Sequence, residues 1–263
     1  MEIKPRVYRQ KLVESGDYVE IYDYENFIKI NQKRKRRRNT TKRPKFIGPP
    51  TYLDVLCRET KNGFSLRRTR SNIVRLVNSN PDLKVFITLT FDSHKFGDKP
   101  FTDFKECNLI FSNFIKRLKR KYPDLKYLAV PEFQSDYYHR TNIRKEFGGN
   151  IHYHLLSNLP FIENTQLEKI WGYGFIKINN IRQVSAVGPY VAKYVGKELF
   201  DGRLNGKKKL FYSRTLNRSK IIITYSKIKE YLNNLKSPLK LLHETTYKSE
   251  YLSRARYRLY KQG

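Results

Sequence analysis

Acidic side chains are scarce in this chain: 24 Asp and Glu face 54 Lys and Arg, leaving a formal net charge of +30 over 263 residues. A surplus of that size repels itself in a compact state, so a polyanionic partner is the natural expectation. An AT-rich coding bias inflates Lys, Asn, Ile and Tyr, but it does not account for so few carboxylates. Cysteine is nearly absent too. Cys57 and Cys107 are far apart and match no CxxC spacing, which excludes a disulfide framework and a structural zinc site and fits a reducing compartment. The first residues, Met1-Glu-Ile-Lys-Pro-Arg6, hold no apolar leader segment, and no run approaches membrane-spanning length. A soluble protein of the bacterial cytoplasm is therefore expected. No Gly-x-x-x-x-Gly-Lys-Ser/Thr sequence occurs, so no helicase domain is expected, and there is no internal repeat.

What is abundant is aromatic. Phe, Tyr and Trp make up 14% of the chain, much of it tyrosine set among lysines. Rings interleaved with cations suit single-stranded nucleic acid, because any base can stack on a ring. At 263 residues the chain can hold one sizeable core with appendages, or two small domains.

Three segments follow from composition. Residues 1–80 read as a basic N-terminal extension of unknown fold. Within them Val19-Glu-Ile-Tyr-Asp-Tyr24 alternates as a strand or hairpin would. The block Lys33-Arg-Lys-Arg-Arg-Arg38 reads as a solvated arm or linker, gripping phosphate or merely solubilising. Residues 52–78 carry helical spacing with a break at Gly63.

Residues 81–200 read as the organised domain. Val85-Phe-Ile-Thr-Leu-Thr-Phe91 has period two, which places Thr88 and Thr90 on one face. Residues 102–121 repeat apolar groups at helical spacing behind a Thr102 or Asp103 cap. Tyr127–Phe133 is a second strand, and its Pro131 hints at an edge or bulge. After a polar loop over 135–148 come a strand over 150–157, a short helix over 163–171, a strand over 174–178 and a helix over 185–200. That order predicts an α+β domain whose central, mainly antiparallel sheet is flanked by helices. Residues 201–263 are a basic C-terminal extension.

Three groups could converge in the organised domain. His152 and His154 sit at i, i+2, on one face of a strand whose other face carries Ile151, Tyr153 and Leu155. Imidazole is the commonest protein metal ligand, although two half-exposed strand histidines are an equally ordinary reading. Glu132, one strand earlier, could be brought beside them by antiparallel pairing. Two imidazoles and one carboxylate leave open positions for substrate oxygens and water on a Lewis-acid metal. The third group is a stripe of one helix, with Tyr190 and Tyr194 at i, i+4 and Lys193 and Lys197 likewise. Packed tyrosines with snorkelling lysines are the plain alternative. Core packing, however, does not require two lysines on that stripe.

With these motifs in their order, the chain resembles the HUH endonuclease superfamily, and within it the rolling-circle replication initiators of small single-stranded DNA phages and plasmids. Phe86-Ile-Thr-Leu-Thr-Phe91 resembles the first family motif. His152-Tyr-His154 resembles the His-hydrophobic-His motif. Val191-Ala-Lys-Tyr-Val-Gly-Lys197 resembles the third, in which a tyrosine is followed three residues on by lysine, and Tyr190 supplies a second tyrosine. The likeness spans roughly residues 84–200. It departs from the family in a long insertion between Glu132 and the histidine strand, which leaves His139 as a substitute for Glu132.

The resemblance implies an HUH/ferredoxin-like (RRM-like) fold and a site-specific single-strand DNA endonuclease and ligase. A divalent metal ion, Mg2+ or Mn2+, would be held by His152, His154 and Glu132. Tyr194 would be the first nucleophile and Tyr190 the second, with Lys193 and Lys197 positioning phosphate. The implied partner is single-stranded DNA at a replication origin, with host replication machinery possible and no nucleotide cofactor. A conjugative relaxase or tyrosine HUH transposase is the nearest alternative. A non-catalytic, basic single-stranded nucleic-acid-binding protein is the alternative from another class.

Overall fold

A computed structural model describes residues 7–30, 67–137, 149–181, 187, 188, 191, 202–204, 206–249 and 253–263. The chain divides into two compact units. One joins residues 1–60 to 218–263, and the other spans 61–217. Both are built on antiparallel five-stranded sheets, and the fold class is α+β as expected from the sequence.

The unit over 61–217 contains helix α1 (residues 67–78), β3 (Val85–Thr90), α2 (Phe104–Lys121), β4 (Tyr127–Phe133), β5 (Ile151–Ser157), α3 (Asn164–Trp171), β6 (Ile176–Asn180) and β7 (Phe211–Tyr212). Residues 187, 188 and 191 are also helical. The strand order is β6-β3-β5-β4-β7, so the histidine strand β5 is central. Local chemistry sets the boundaries. Asp103 caps α2, its carboxylate accepting from the backbone N–H groups of Lys105 at 2.7 Å and Glu106 at 3.0 Å. Glu163 and Gly172 flank α3, and Gly172 takes the left-handed conformation that ends a helix cheaply only at glycine. Pro131 sits where β4 is unpaired on its outer side, since β7 meets only Leu128 and Ala129. Proline, lacking an N–H, fits such an edge.

Alternation gives the sheet two different faces. On one, Ile87, Leu89, Ala129, Ile151, Tyr153 and Leu155 pack beneath Phe111, Phe114 and Leu118 of α2 and Leu167 and Trp171 of α3. The Tyr153 ring stacks on Phe111 with centroids 4.4 Å apart, and its hydroxyl donates to Asn108 at 2.7 Å. On the other, Phe86, Leu128, Val130 and Leu156 pack with Ile73 and Val77 of α1 and with Val191. Each large side chain so buried contributes about 1.5–3 kcal/mol, which makes both helical layers structural requirements of the sheet.

The second unit has its own sheet, made of β1 (Val7–Ser15), β2 (Tyr18–Lys29), β8 (Lys220–Ile222), β9 (Leu239–Ser249) and β10 (Ser253–Gln262), with helix α4 (Tyr225–Asn233) between β8 and β9. The strand order is β8-β1-β2-β10-β9. The β1–β2 hairpin is the one that the alternation around Val19 predicts. Its partner β10 comes from the far end of the chain. Leu12, Val19 and Ile21 bury against Ile222 and Ile228 of α4. Among the described residues no helix is long and apolar enough to cross a membrane.

Candidate active site

The histidine face of the first sheet changes character along its length. Phe86, Leu128, Val130 and Leu156 make one end apolar, and Thr88, Thr90, Glu132, His152 and His154 make the other polar. All nine share one face because each is an even step from its neighbours along β3, β4 and β5. Registration does the rest. Thr90 lies opposite His152, Thr88 opposite His154, and Glu132 opposite His152 on the other flank.

The insertion before β5 does not disturb this pairing. Phe133 still faces Ile151, and the N–H of Gln134 donates to the carbonyl of Asn150 at 3.0 Å. The N–H of Gly149 donates to Asp136 at 2.8 Å, so the described ends of the insertion are tied together. Glu132 thus stands beside the histidines, where antiparallel pairing alone was expected to bring it.

His154 is held from both sides. Its Nδ1 lies 3.2 Å from the Thr88 hydroxyl, and its Nε2 meets the Glu132 carboxylate directly. Its ring also stacks on Phe86, with centroids 5.7 Å apart and planes 12° from parallel. The side chains of His154 and Glu132 are 14% and 27% exposed, enough to be reached from solvent while their orientation is fixed. The far end of β3 is pinned as well, because the buried Trp171 donates its indole N–H to the carbonyl of Thr90 at 2.9 Å.

A carboxylate and two imidazoles on adjacent strands are the donor types a divalent ion takes. The Thr88 contact matches the outer support that fixes a ligand imidazole's tautomer, leaving Nε2 as the outward nitrogen. The donor chemistry fits a cation, although among the described residues no group of three or more His, Cys, Asp or Glu side chains stands ready-made to hold one. Tyr190, Lys193, Tyr194 and Lys197 lie outside the described residues, as does His139. Their immediate neighbour Val191 is described and fully buried, in the cluster that holds Val130 and Leu156. Gly188 is buried too. A Cβ there would come within 2.4 Å of Asn78 Oδ1 and 3.3 Å of Val74 Cγ1, so this stretch packs closely on α1.

Lys177 was not singled out from the sequence. It lies in register with Thr88, on the flank away from His154, with its side chain exposed. The signal was available: in Gly174-Phe-Ile-Lys-Ile178 the lysine interrupts an apolar strand on the face shared with the histidines.

Residues 84–199 match the model of a family of replication-associated proteins, the one that includes the ORF2 type. The matched stretch includes β3, β4 and β5 with all three candidate ligands, and it runs past Tyr194. By this likeness the chain is similar to proteins that take part in DNA replication. No curated protein and no solved structure matches it.

Proposed function

We propose that this chain initiates rolling-circle DNA replication, cutting one strand at an origin with a tyrosine and later rejoining it. The observation that carries the reading is the shared face of β3, β4 and β5. Glu132, His152 and His154 lie at its polar end, and Val191 is buried at its apolar end. In sequence Val191 follows Tyr190 directly and precedes Tyr194 by three, a spacing that shares a helix face in any helix continuing through both. The similarity to replication-associated proteins supports the same reading.

His152, His154 and Glu132 would hold a divalent cation, Mg2+ or Mn2+, which when bound polarises the scissile phosphate as a Lewis acid. Thr88 fixes the His154 ring so that little reorganisation accompanies the reaction. The Tyr194 oxygen forms a bond to phosphorus while the bond to the 3′-oxygen breaks. The phenolic proton is released, and the departing 3′-oxygen takes up a proton to become the hydroxyl that primes synthesis. The DNA 5′ end remains as a phosphotyrosine ester, whose free energy serves the later joining without a nucleotide cofactor. Tyr190 carries out the second transfer, and Lys193 and Lys197 offset phosphate charge.

The test is incubation with single-stranded circular DNA and Mn2+, followed by mapping of any protein-linked 5′ end. A covalent adduct lost in Tyr194→Phe, in His152→Ala and with chelator is the expected result, with first cleavage retained in Tyr190→Phe. Adduct formation by the Tyr190→Phe/Tyr194→Phe double variant would refute the assignment. Strand binding without cleavage, indifferent to chelator and to His152→Ala, would leave a basic binding protein instead.

A further inference from the structure

The sheet of the second unit has one face against α4 and another with a different composition. Leu12, Val19 and Ile21 point toward the helix. Strand alternation then aligns Lys11, Tyr22 and Tyr257 on the opposite face, since Lys11 is in register with Tyr22 and Tyr22 with Tyr257. The next row on that face places Tyr247 across Ala255 from Tyr24.

The rings form a continuous surface. Tyr22 and Tyr24 are 9° from parallel with centroids 6.3 Å apart, and Tyr22 and Tyr257 are 5.0 Å apart. Cations accompany them. Lys11 Nζ sits 3.8 Å from the Tyr22 ring centre. At the end of the hairpin the Arg9 guanidinium lies 5.5 Å from the Phe27 ring. Phe27 is 65% exposed and Tyr247 36%, so rings at the margins of the surface meet solvent.

We propose that this face binds single-stranded DNA without regard to sequence, bases stacking on the tyrosine and phenylalanine rings and phosphates held by Lys11 and Arg9. Stacking needs an uncovered base face, which a single strand offers and a duplex hides. Cations seated over or beside the rings match the phosphate that accompanies every stacked base. A chain of net charge +30 complements such a polyanion. This surface is separate from the histidine face and does not depend on the cleavage reading.

The test uses the full chain with a fluorescent oligothymidine of about 20 nucleotides, followed by anisotropy in chelator so that cleavage plays no part. Phe27→Ala/Tyr247→Ala should weaken binding about tenfold or more. Both side chains are exposed enough for truncation to spare the fold, which the unfolding midpoint checks. Phe27→Tyr/Tyr247→Phe keeps both rings and should bind as the parent does. A duplex of the same length should bind more weakly and ignore the alanine changes. Unchanged oligothymidine affinity in the alanine variant overturns the proposal, and so does an equal loss for duplex, which would mark plain charge attraction.

Discussion

The Thr88 hydroxyl holds the His154 ring from the neighbouring strand, Oγ1 to Nδ1 at 3.2 Å, while Nε2 turns to Glu132. The two residues are register partners, so the contact follows from strand pairing rather than from a loop. Thr88→Val keeps the β-branched shape and removes the oxygen. Outer-shell changes of this kind cost about 10–100-fold in metal affinity. That loss of Mn2+ affinity is the expected result by calorimetry, with little change in unfolding midpoint. Unaltered affinity would mean that the hydroxyl does not orient a ligand.

Lys177 is exposed one strand beyond Thr88 on the same face. A lone strand cation there is suited to meet the phosphates of a strand lying across the histidines. Lys177→Gln should reduce the slope of log affinity against log salt by about 0.7, the change for one single-strand phosphate contact. It should slow cleavage without altering the unfolding midpoint. An unchanged slope would place the DNA elsewhere.

Gly174 brings the chain against the end of β3. Its φ is +151°, and a Cβ would lie 2.4 Å from the carbonyl oxygen of Thr90 and 2.6 Å from the nitrogen of Asp92. Both obstacles are backbone, so neither can swing aside. Gly174→Ala should cost about 1–3 kcal/mol in urea unfolding and reduce cleavage, since Thr90 is the register partner of His152. Gly97 provides the control. Its φ is +65° but nothing lies within 4 Å of a Cβ, so Gly97→Ala should cost less.

The histidine sheet was legible because its signals are local. Period two in Val85–Thr90 and Ile151–Ser157, helical spacing in Phe104–Lys121 and the Asp103 cap each act within a few residues. The placement of Glu132 needed only one antiparallel pairing. The second sheet was not legible in the same way. Tyr22 finds Tyr257 across 235 positions, and nothing in either segment alone names that partner. The β9–β10 strands read only as a basic tail, because Leu239–Ser249 lies at the sheet edge with little buried to set a clean alternation. Lys177 escaped notice for a related reason: one cation in a short strand acquires meaning only once its neighbour is known to be Thr88.

Cys107 connects the core beneath the histidine strand to alkaline stability. Burial chiefly, with help from the Glu106 and Asp103 carboxylates and against the Lys99 cation, pushes its thiol from an ordinary value near 9 up to about 12. A group with a raised folded value contributes stability that is complete below its unfolded value and is lost as pH climbs through the folded one. The chain should therefore lose stability from about pH 9 toward pH 12 as the unfolded thiol ionises and the folded one does not. Burial also raises the Tyr153 phenol, so a further loss should follow once unfolded phenols ionise. Cys107→Ala should lower stability at neutral pH through the lost sulfur contacts, yet remove the first part of the alkaline decline while keeping the later one. Urea midpoints at several pH values for the two proteins make the comparison, and parallel curves through that window would mean the thiol ionises as readily inside the core as outside it.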